Sequence, residues 1–345
     1  MTLLLPEKIS ITLEELDFSL SKEHPLPEIS ALLNETVLFG GKKLRPLLCL
    51  LMGGAFGLDC KKVAPFARIA EFTHAASLAH DDIIDEAGMR RQRETINAMA
   101  SNAKAVLAGD YLLSRALDEL SGLGNLQLVQ DLARVFKGLV NGEWMQLGIR
   151  GNVDVTFETL EMIADFKTAG LIGWCCMVPA RITNCSEETV KTCTRFGRYF
   201  GQAFQMVDDV IDYEIQGEKG FAQDLRCGLV NFVTLEMIIA DRSLPTTMVA
   251  AGASVSAEPM AKKLANILKK YNVKSKIEEW PWTEEQLAEA KARVRQKAVK
   301  HIDSARTELS KIAGFSSSFA SGDEFSRLCI LALESILALT TNRVT

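Results

Sequence analysis

Prolines and long apolar runs are the clearest shortages in this chain. Nine of the 345 residues are proline, and none lies between Pro65 and Pro179 or between Pro179 and Pro245. Since proline interrupts helices, these intervals can hold long ones. No stretch approaches the roughly 18 apolar residues that a membrane span requires, and the first residues lack the basic segment of a secretory signal. We therefore expect a helical protein of the cytoplasm without a membrane span.

The chain also has no excess of positive charge and no paired cysteines. The formal net charge is −5, so the chain lacks the basic surface that binds nucleic acid, and we expect no nucleic-acid partner. The eight cysteines form no Cys-x-x-Cys pair and no ligand-like spacing with the four histidines. This pattern predicts reduced thiols in the core and no metal site built on cysteine.

Apolar residues recur at helical spacing where proline is absent. Phe66, Ile69, Ala70 and Thr73 follow the three- and four-residue spacing of one helix face, and strand-like alternation is missing. The sequence predicts an all-α fold that forms a single domain over residues 1–345. Helices are predicted at 27–39, 43–56, 63–85, 95–101, 104–120, 126–147, 157–165, 168–183, 187–213, 229–241, 258–271, 284–313 and 322–341. Loops are predicted at 217–220, 242–257 and 272–283.

One acidic signature occurs twice in the chain. Residues 80–85 read His-Asp-Asp-Ile-Ile-Asp, and residues 207–212 read Val-Asp-Asp-Val-Ile-Asp. An isolated match is more often a solvated helix face, but like charges held among apolar residues would repel each other unless a cation neutralised them. Because residues four apart share a helix face, each motif presents two carboxylates of the kind that bind Mg²⁺ together with phosphate oxygens. The two pairs are Asp81 with Asp85, and Asp208 with Asp212.

Further motifs follow in an order that resembles the trans-isoprenyl diphosphate synthases, the chain-elongating prenyltransferases. They are Gly40-Gly41-Lys42-Lys43-Leu44-Arg45-Pro46, His74, the first acidic motif with Arg90-Arg91, Gly109-Asp110-Tyr111, Lys167-Thr168-Ala169, Phe204-Gln205 with the second acidic motif, and Gly217 to Asp224-Leu225. The resemblance covers nearly the full length and is greatest to the medium- and long-chain, octaprenyl-type synthases. It implies one helical bundle of the isoprenoid synthase type with a central cavity.

The resemblance also implies a reaction and its residues: isopentenyl diphosphate joins an allylic prenyl diphosphate, head to tail and in trans geometry, in an enzyme that is a homodimer. Isopentenyl diphosphate would be held by Lys42, Arg45, His74 and Arg91. The allylic diphosphate would be held by Arg90, Lys219 and Mg²⁺ on Asp81, Asp85 and Asp208. Lys167, Thr168 and Gln205 would lie beside the reacting carbon. The catalytic residues would be Asp81, Asp82, Asp85, Lys167, Asp208, Asp209 and Asp212.

Sequence spacing adds a geometric expectation for the isopentenyl diphosphate site. Lys42 and Arg45 are three residues apart, which would place both on one helix face. His74 precedes Asp81 by seven residues and should lie on the same stripe as the carboxylates. We therefore expect these cations and the histidine to face the acidic motif.

Three departures from the family pattern concern the arginine pair, a lysine and one long segment. The family's Arg-Arg-Gly reads Arg90-Arg91-Gln92, which changes the turn but keeps both cations. Leu229 stands where the family has lysine, so closure over the allylic diphosphate should be weaker. Residues 242–283 follow the family pattern poorly.

Small side chains before the first acidic motif predict a long product. Ser77 and Ala76, then Thr73, then Ala70 face the expected cavity, and all four are small. Short-chain members of the family carry an aromatic floor four or five residues before the motif, and this chain has none. One helical turn rises about 5.4 Å, comparable with one isoprene unit. A product longer than fifteen carbons is therefore expected.

Three alternatives to a long-chain synthase stay open. A short-chain farnesyl or geranylgeranyl synthase would perform the same reaction fewer times. A terpene cyclase would usually carry an Asn-Ser/Thr-Glu metal motif in place of the second acidic motif, and likeness of fold alone does not exclude that activity. A non-catalytic subunit of a hetero-oligomeric synthase would usually lose aspartates or arginines, and only Leu229 favours it.

Overall fold

The computed structural model describes residues 5–20, 27–152, 154–214, 222–226, 228–240, 282–319 and 323–342. Its elements in chain order are helices α1 (Glu7–Glu15), α2 (Pro27–Glu35), α3 (Leu44–Ala55) and α4 (Cys60–Ile84), strands β1 (Met89–Arg90) and β2 (Arg93–Glu94), and helices α5 (Ile96–Met99), α6 (Asn102–Gly122), α7 (Leu126–Gly148) and α8 (Phe157–Ala164), a π-helical turn (Asp165–Ala169), and helices α9 (Gly170–Ile182), α10 (Glu187–Ile211), α11 (Gln223–Arg226), α12 (Phe232–Ala240), α13 (Glu284–Phe319) and α14 (Glu324–Asn342).

The predicted all-α class is confirmed. Every helix predicted on described residues is present, with ends that differ by a few residues. The helix predicted at 258–271, the loops at 217–220 and 242–257, and most of the loop at 272–283 lie outside the described residues. The sequence did not predict α1, α11, the π-helical turn or the short antiparallel pair β1–β2.

Local sequence signals account for several helix ends. Asp59 caps α4 by accepting a hydrogen bond from the Lys61 amide at 2.8 Å. Ser101 caps α6, and Thr156 caps α8, each through its hydroxyl oxygen. Such caps satisfy amides that have no partner inside the helix. None of the described helices combines the length and the apolarity needed to cross a bilayer.

The chain divides into two compact units, each assembled from separate stretches. The first comprises Met1–Lys137, Gly170–Arg198 and Ala305–Leu339, and the second comprises Gly138–Ala169, Tyr199–Ser304 and Thr340–Thr345. The single domain expected from the sequence stays a prediction.

The core of the first unit is formed where α4 packs against α3, α6 and α9. Small residues permit the close approach, since a Cβ at Gly53 would lie 2.5 Å from a methyl carbon of Val63. The first acidic motif lies at the end of α4, so this packing fixes its position.

The core of the second unit contains α8, α12 and the π-helical turn. The rings of Phe157 and Phe232 lie 4.9 Å apart and connect α8 with α12. Gly201 of α10 allows contact with the π-helical turn, because a Cβ there would lie 2.6 Å from the Ala169 Cα. On α12, the buried Glu236 accepts a hydrogen bond from Arg293 of α13 at 2.8 Å and pairs with Lys297 at 3.1 Å.

Six of the seven described cysteines are buried free thiols, as predicted, and Cys185 is half-buried. Burial raises the pKa of the Cys175 thiol to about 12. These side chains therefore act as small apolar groups in the core.

Candidate active site

The first acidic motif exposes two of its carboxylates and buries the third. Asp81 and Asp85 are half-buried, at and just after the end of α4, whereas Asp82 is 2% exposed. Arg90 donates a hydrogen bond from Nε to Asp82 Oδ1 at 2.8 Å. Burial raises the pKa of Asp82, and the nearby Arg90 opposes that shift. The motif thus separates two outward carboxylates from one that holds Arg90.

A tight hairpin positions the arginine pair. Strands β1 and β2 are joined through Arg91 and Gln92, whose φ angles are 50° and 61°. Two successive residues with positive φ are typical of two-residue hairpins, where glycine is the least strained residue. The departure at Gln92 therefore keeps the left-handed conformation of the turn, with strain of about 1–2 kcal/mol for a residue other than glycine.

Arg91 lies directly over Gly41, the second glycine of the motif at residues 40–46. A Cβ on Gly41 would lie 2.7 Å from the Arg91 guanidinium, and Gly41 has a φ of 83°. Arg91 also donates to the Phe39 carbonyl oxygen at 3.0 Å. The positive φ favours glycine at this position, and a larger residue would displace the Arg91 guanidinium.

His74 is surrounded by cations. Burial first, and then the charges of Arg45, Arg91, Arg90 and Lys43, lower the pKa of His74 well below its usual value. The imidazole is therefore neutral at pH 7. The structure brings together four predicted residues of the first unit: Arg45, His74, Arg90 and Arg91.

Arg45 has unused hydrogen-bonding capacity in this cluster. Its Nε is buried and finds no acceptor in the part of the chain that the structure describes. A buried donor without an acceptor costs free energy. An anionic ligand that reached this nitrogen would remove that cost.

The expectation that Lys42 and Arg45 share a helix face is wrong. Lys43 has a φ of 46° and precedes the first helical residue, so Lys42 lies on an exposed loop. Lys43, which the sequence analysis did not select, contributes to the charge around His74. It donates to the buried Glu71 at 2.9 Å.

The second acidic motif has the same division of carboxylates. Asp208 is exposed and Asp212 is half-buried, whereas Asp209 is buried. Asp209 accepts hydrogen bonds from Gln205 Nε2 at 2.9 Å and from the Phe232 amide at 3.1 Å. Burial raises the pKa of Asp209 well above its usual value, and the charges of Asp224 and Asp208 add to the shift.

The departure after Asp224 is accommodated by a helix cap. Asn231 precedes α12, accepts from the Thr234 amide at 3.0 Å, and donates to Asp224 Oδ2 at 3.0 Å. Leu229 is 9% exposed, so this position contributes packing and no cation. Lys219 lies outside the described residues.

The π-helical turn directs two predicted residues toward different helices. Thr168 donates its hydroxyl hydrogen to Gln205 Oε1 at 2.8 Å. Lys167 donates to a carboxylate oxygen of Glu143 and to Gln146 Oε1, the latter at 3.0 Å. Sequence reasoning missed Glu143 and Gln146, although their spacing of three on α7 places them on one helix face.

The donor set fits Mg²⁺. Within the described ranges, no three acidic, histidine or cysteine side chains are clustered as a complete cage for a metal ion. Mg²⁺ does not require such a cage, because it is usually held by one or two carboxylates with water and phosphate oxygens. Outward carboxylates of this kind are present at Asp81, Asp85 and Asp208.

Of the positions expected to face the growing product, only Ser77 keeps exposed surface. Ala76, Thr73 and Ala70 are fully buried. The Ser77 hydroxyl donates to the His74 carbonyl oxygen at 2.9 Å. We therefore restrict the tail-facing prediction to Ser77.

Comparison with known proteins identifies the family. The model of the polyprenyl synthetase family matches residues 26–268, well over half of the chain. The chain belongs to the polyprenyl synthetase family, which confirms the resemblance found in the sequence.

Two relatives give the scale of the similarity. Octaprenyl diphosphate synthase of Escherichia coli (strain K12) is 35% identical over 192 residues, which cover 55% of this chain and 59% of that protein. Heptaprenyl diphosphate synthase component 2 of Geobacillus stearothermophilus is 33% identical over 267 residues, 76% of this chain and 82% of that protein. The chain thus spans 59% of the length of the octaprenyl relative that it matches.

Solved structures support the fold over nearly the whole chain. Geranylgeranyl pyrophosphate synthase from Corynebacterium glutamicum, complexed with calcium and isoprenyl diphosphate, has a TM-score of 0.72 at 25% identity, over 97% of this chain and 96% of that chain. Decaprenyl diphosphate synthase from Rhodobacter capsulatus has a TM-score of 0.68 at 25% identity, over 95% of this chain and 94% of that chain.

Proposed function

We propose that the protein is a Mg²⁺-dependent trans-prenyltransferase. It condenses isopentenyl diphosphate with an allylic prenyl diphosphate, head to tail, and makes a polyprenyl diphosphate longer than fifteen carbons. Membership of the polyprenyl synthetase family supports the reaction class. The exposed surface that remains at Ser77 supports the product length.

The observation that carries the proposal lies within the first unit. A neutral His74 among Arg45, Arg91 and Lys43 is followed on α4 by the outward carboxylates of the acidic motif. Cations suit a diphosphate, and carboxylates suit the divalent ion that accompanies one. One helix therefore carries both parts of a diphosphate site.

Different charged residues bind the two diphosphate substrates. Lys42, Arg45, His74 and Arg91 bind isopentenyl diphosphate, while Arg90 and Lys219 act on the allylic diphosphate. Asp82 holds Arg90 at 2.8 Å, so this cation needs little reorganisation when charge develops on the leaving group. Asp81, Asp85 and Asp208 would hold Mg²⁺, which when bound polarises and neutralises the allylic diphosphate.

The reacting carbon needs a different environment. When the diphosphate leaves the allylic substrate with the electrons of the broken C–O bond, an allylic carbocation remains, and neutral oxygens stabilise it without capturing it. Thr168 and Gln205 supply such oxygens and are fixed by their mutual hydrogen bond of 2.8 Å. The isopentenyl double bond then attacks, and loss of a proton completes one extension of five carbons.

A homodimer in the cytoplasm is part of the proposal. On α7, Val140, Trp144 and Leu147 are spaced for one helix face and are exposed, Trp144 by 78%. Apolar side chains grouped in this way are typical of interfaces between protein chains. The buried free thiols agree with a reducing compartment.

A second candidate is a subunit that is active only with a different partner chain. Two observations favour it: one relative is named component 2 of a heptaprenyl diphosphate synthase, and Leu229 replaces a cation of the family pattern. The purified chain alone distinguishes the two candidates, because only an active homomeric enzyme consumes substrate without a second protein.

The test is an incubation of the purified chain with Mg²⁺, labelled isopentenyl diphosphate and allylic primers of increasing length. We expect label in extracted products longer than fifteen carbons, and none when EDTA replaces Mg²⁺. Products of fifteen carbons or fewer would indicate a short-chain synthase. Cyclised hydrocarbons would indicate a cyclase. If the purified chain is folded but consumes no substrate, the homomeric enzyme is contradicted.

A further inference from the structure

Lys167 is held by two side chains of α7 that have no assigned role. Its ammonium group donates to a carboxylate oxygen of Glu143 and, at 3.0 Å, to Gln146 Oε1. The Lys167 and Glu143 side chains are only 20% and 12% exposed. Partial burial strengthens the interaction of the two charges over that of a surface pair.

Local backbone structure brings Lys167 to this position. In the π-helical turn, Lys167 is directed toward α7, while its neighbour Thr168 bonds to Gln205 of α10. Single π-helical turns of this kind occur frequently at functional sites. The turn thereby lets two adjacent residues contact different helices.

A glycine on α7 makes room for the lysine stem. A Cβ on Gly142 would lie 2.7 Å from the Lys167 Cγ and 2.9 Å from the Phe166 Cβ. No side chain fits there without displacing the turn. Gly142 therefore sets the close approach, and Glu143, the next residue, reaches the ammonium group.

Two acceptors at fixed positions determine the direction of the ammonium group. A lysine has three N–H donors on a long flexible stem, and it loses side-chain entropy whenever it is ordered. With two donors directed to Glu143 and Gln146, the direction of the third is set as well. The lysine is then ordered before a substrate arrives, which reduces the cost of binding.

We propose that Glu143 and Gln146 are positioning residues that act through Lys167. They hold its ammonium group in the orientation that the allylic diphosphate and the reacting carbon require. The kinetic part of this inference rests on the proposed prenyltransferase function, whereas the contact itself does not.

The kinetic test is a double-mutant cycle of Glu143→Gln and Lys167→Ala. Glu143→Gln keeps the side-chain shape and removes the charge, so we expect kcat with the allylic primer to fall about 10- to 100-fold from the misplaced lysine. The KM for isopentenyl diphosphate should change less than about twofold, because that substrate is bound elsewhere. In the Lys167→Ala background, Glu143→Gln should change kcat less than about twofold.

A second measurement does not depend on activity. Acetylation of lysines, followed by mass spectrometry, compares Lys167 with the exposed Lys137 as an internal reference. We expect labelling of Lys167 to rise several-fold in Glu143→Gln and, to a smaller extent, in Gln146→Leu. The matched control is Glu161→Gln, which removes a carboxylate paired with His301 in the same unit. It should leave the labelling of Lys167 and kcat unchanged.

The outcomes distinguish failure of the positioning role from failure of the prenyltransferase function. Equal losses of kcat from Glu143→Gln with and without Lys167 would mean that Glu143 acts independently, and would overturn the proposal. Unchanged labelling of Lys167 in Glu143→Gln would overturn it as well, whether or not the wild type makes a product. If labelling of Lys167 increases in Glu143→Gln but the wild-type protein forms no product, the contact is supported and the prenyltransferase function is rejected.

Discussion

The two acidic motifs differ in how they stabilise their central carboxylate. Asp82 and Asp209 are both buried, and in each motif the flanking carboxylates lie nearer the surface. Asp82 faces a cation, because Arg90 donates to it at 2.8 Å. Asp209 accepts hydrogen bonds only from neutral donors among its described partners, at 2.9 and 3.1 Å.

This difference suggests separate tasks for the two regions. The first motif adjoins cations, and its central carboxylate orders one of them. The second motif adjoins Thr168 and Gln205, and Gln205 connects Thr168 with Asp209. The first region therefore suits binding of anionic groups, and the second suits stabilisation of a carbocation by neutral oxygens.

The largest effect is expected from the outward carboxylates. Asp81→Ala, Asp85→Ala and Asp208→Ala should each lower kcat about 100- to 1000-fold, since one electrostatic contact in the transition state is worth roughly 3–4 kcal/mol. Steady-state kinetics with saturating Mg²⁺ measures the loss, and circular dichroism checks the fold. Near-normal turnover in all three variants would reject the assignment of the metal ligands.

The next prediction compares the residues four positions before each motif, which are Ser77 and Phe204. Ser77→Phe places an aromatic ring one turn before Asp81. The second motif already has an aromatic ring at the equivalent position, Phe204. Primer consumption should continue, while products shorten to fifteen carbons or fewer. Overpacking should cost about 1–3 kcal/mol of stability.

Chromatography of the products from wild type and Ser77→Phe provides the measurement. The control is Ser114→Phe, a change of the same size at an exposed serine of α6. An active Ser77→Phe variant with an unchanged longest product would show that this face of α4 does not line the path of the growing chain.

Much of this fold could be predicted because the helices are long and periodic. The ends of α4 and α10 agree with the prediction within a few residues, and each helix carries its acidic motif at its C-terminal end, as expected. Helical geometry alone indicates that Asp81 and Asp85 share a face that Asp82 does not. It does not indicate that Arg90 is the partner of Asp82, since that depends on the hairpin.

The features that were missed depend on packing between elements. The π-helical turn is enclosed by Gly142 and Gly201, which are distant in sequence from it. The error at Lys42 has a local cause, because Lys43 adopts a left-handed conformation that the residue type does not favour. No periodic pattern encodes either feature.

A smaller effect distinguishes the two central carboxylates. Asp82→Asn removes the attraction of Arg90, whereas Asp209→Asn removes repulsion from Asp208 and Asp224. We therefore expect Asp209→Asn to be the more stable variant by about 1–2 kcal/mol at pH 7. Urea unfolding in EDTA measures the difference. Equal stabilities, or the reverse order, would mean that the two motifs do not differ in this way.

The burial of His74, together with the cations around it, also predicts a pH dependence. The depressed pKa of His74 means that, below about pH 6.5, the unfolded chain binds a proton that the folded chain does not. The contribution of His74 to the free energy of unfolding should therefore be constant above pH 6.5 and fall as the pH decreases below it. In His74→Gln this loss should be smaller by about 1 kcal/mol between pH 6.5 and 5.5.

Unfolding free energies of wild type and His74→Gln at several pH values provide the test. His301→Gln is the control, since His301 lies 3.3 Å from a carboxylate oxygen of Glu161. Parallel pH profiles for wild type and His74→Gln would reject the depressed pKa assigned to His74.

The smallest effect concerns the hairpin that presents Arg90 and Arg91. Gln92→Gly should stabilise the protein by about 0.5–1 kcal/mol, because relief of the left-handed strain exceeds the entropic cost of glycine. Gln92→Ala should give no such gain, since alanine has the same strain. A loss of stability in Gln92→Gly would mean that the Gln92 side chain makes a contact that outweighs the strain.

The most direct test of the division between outward and central carboxylates is a count of bound metal ions. Electron paramagnetic resonance of Mn²⁺, titrated into the protein with inorganic diphosphate, gives that count for wild type, Asp208→Asn and Asp209→Asn. We predict fewer tightly bound ions in Asp208→Asn and the wild-type number in Asp209→Asn. An equal loss in both variants, or a loss in Asp209→Asn alone, would contradict the assignment of Asp208 as the ligand and Asp209 as its support.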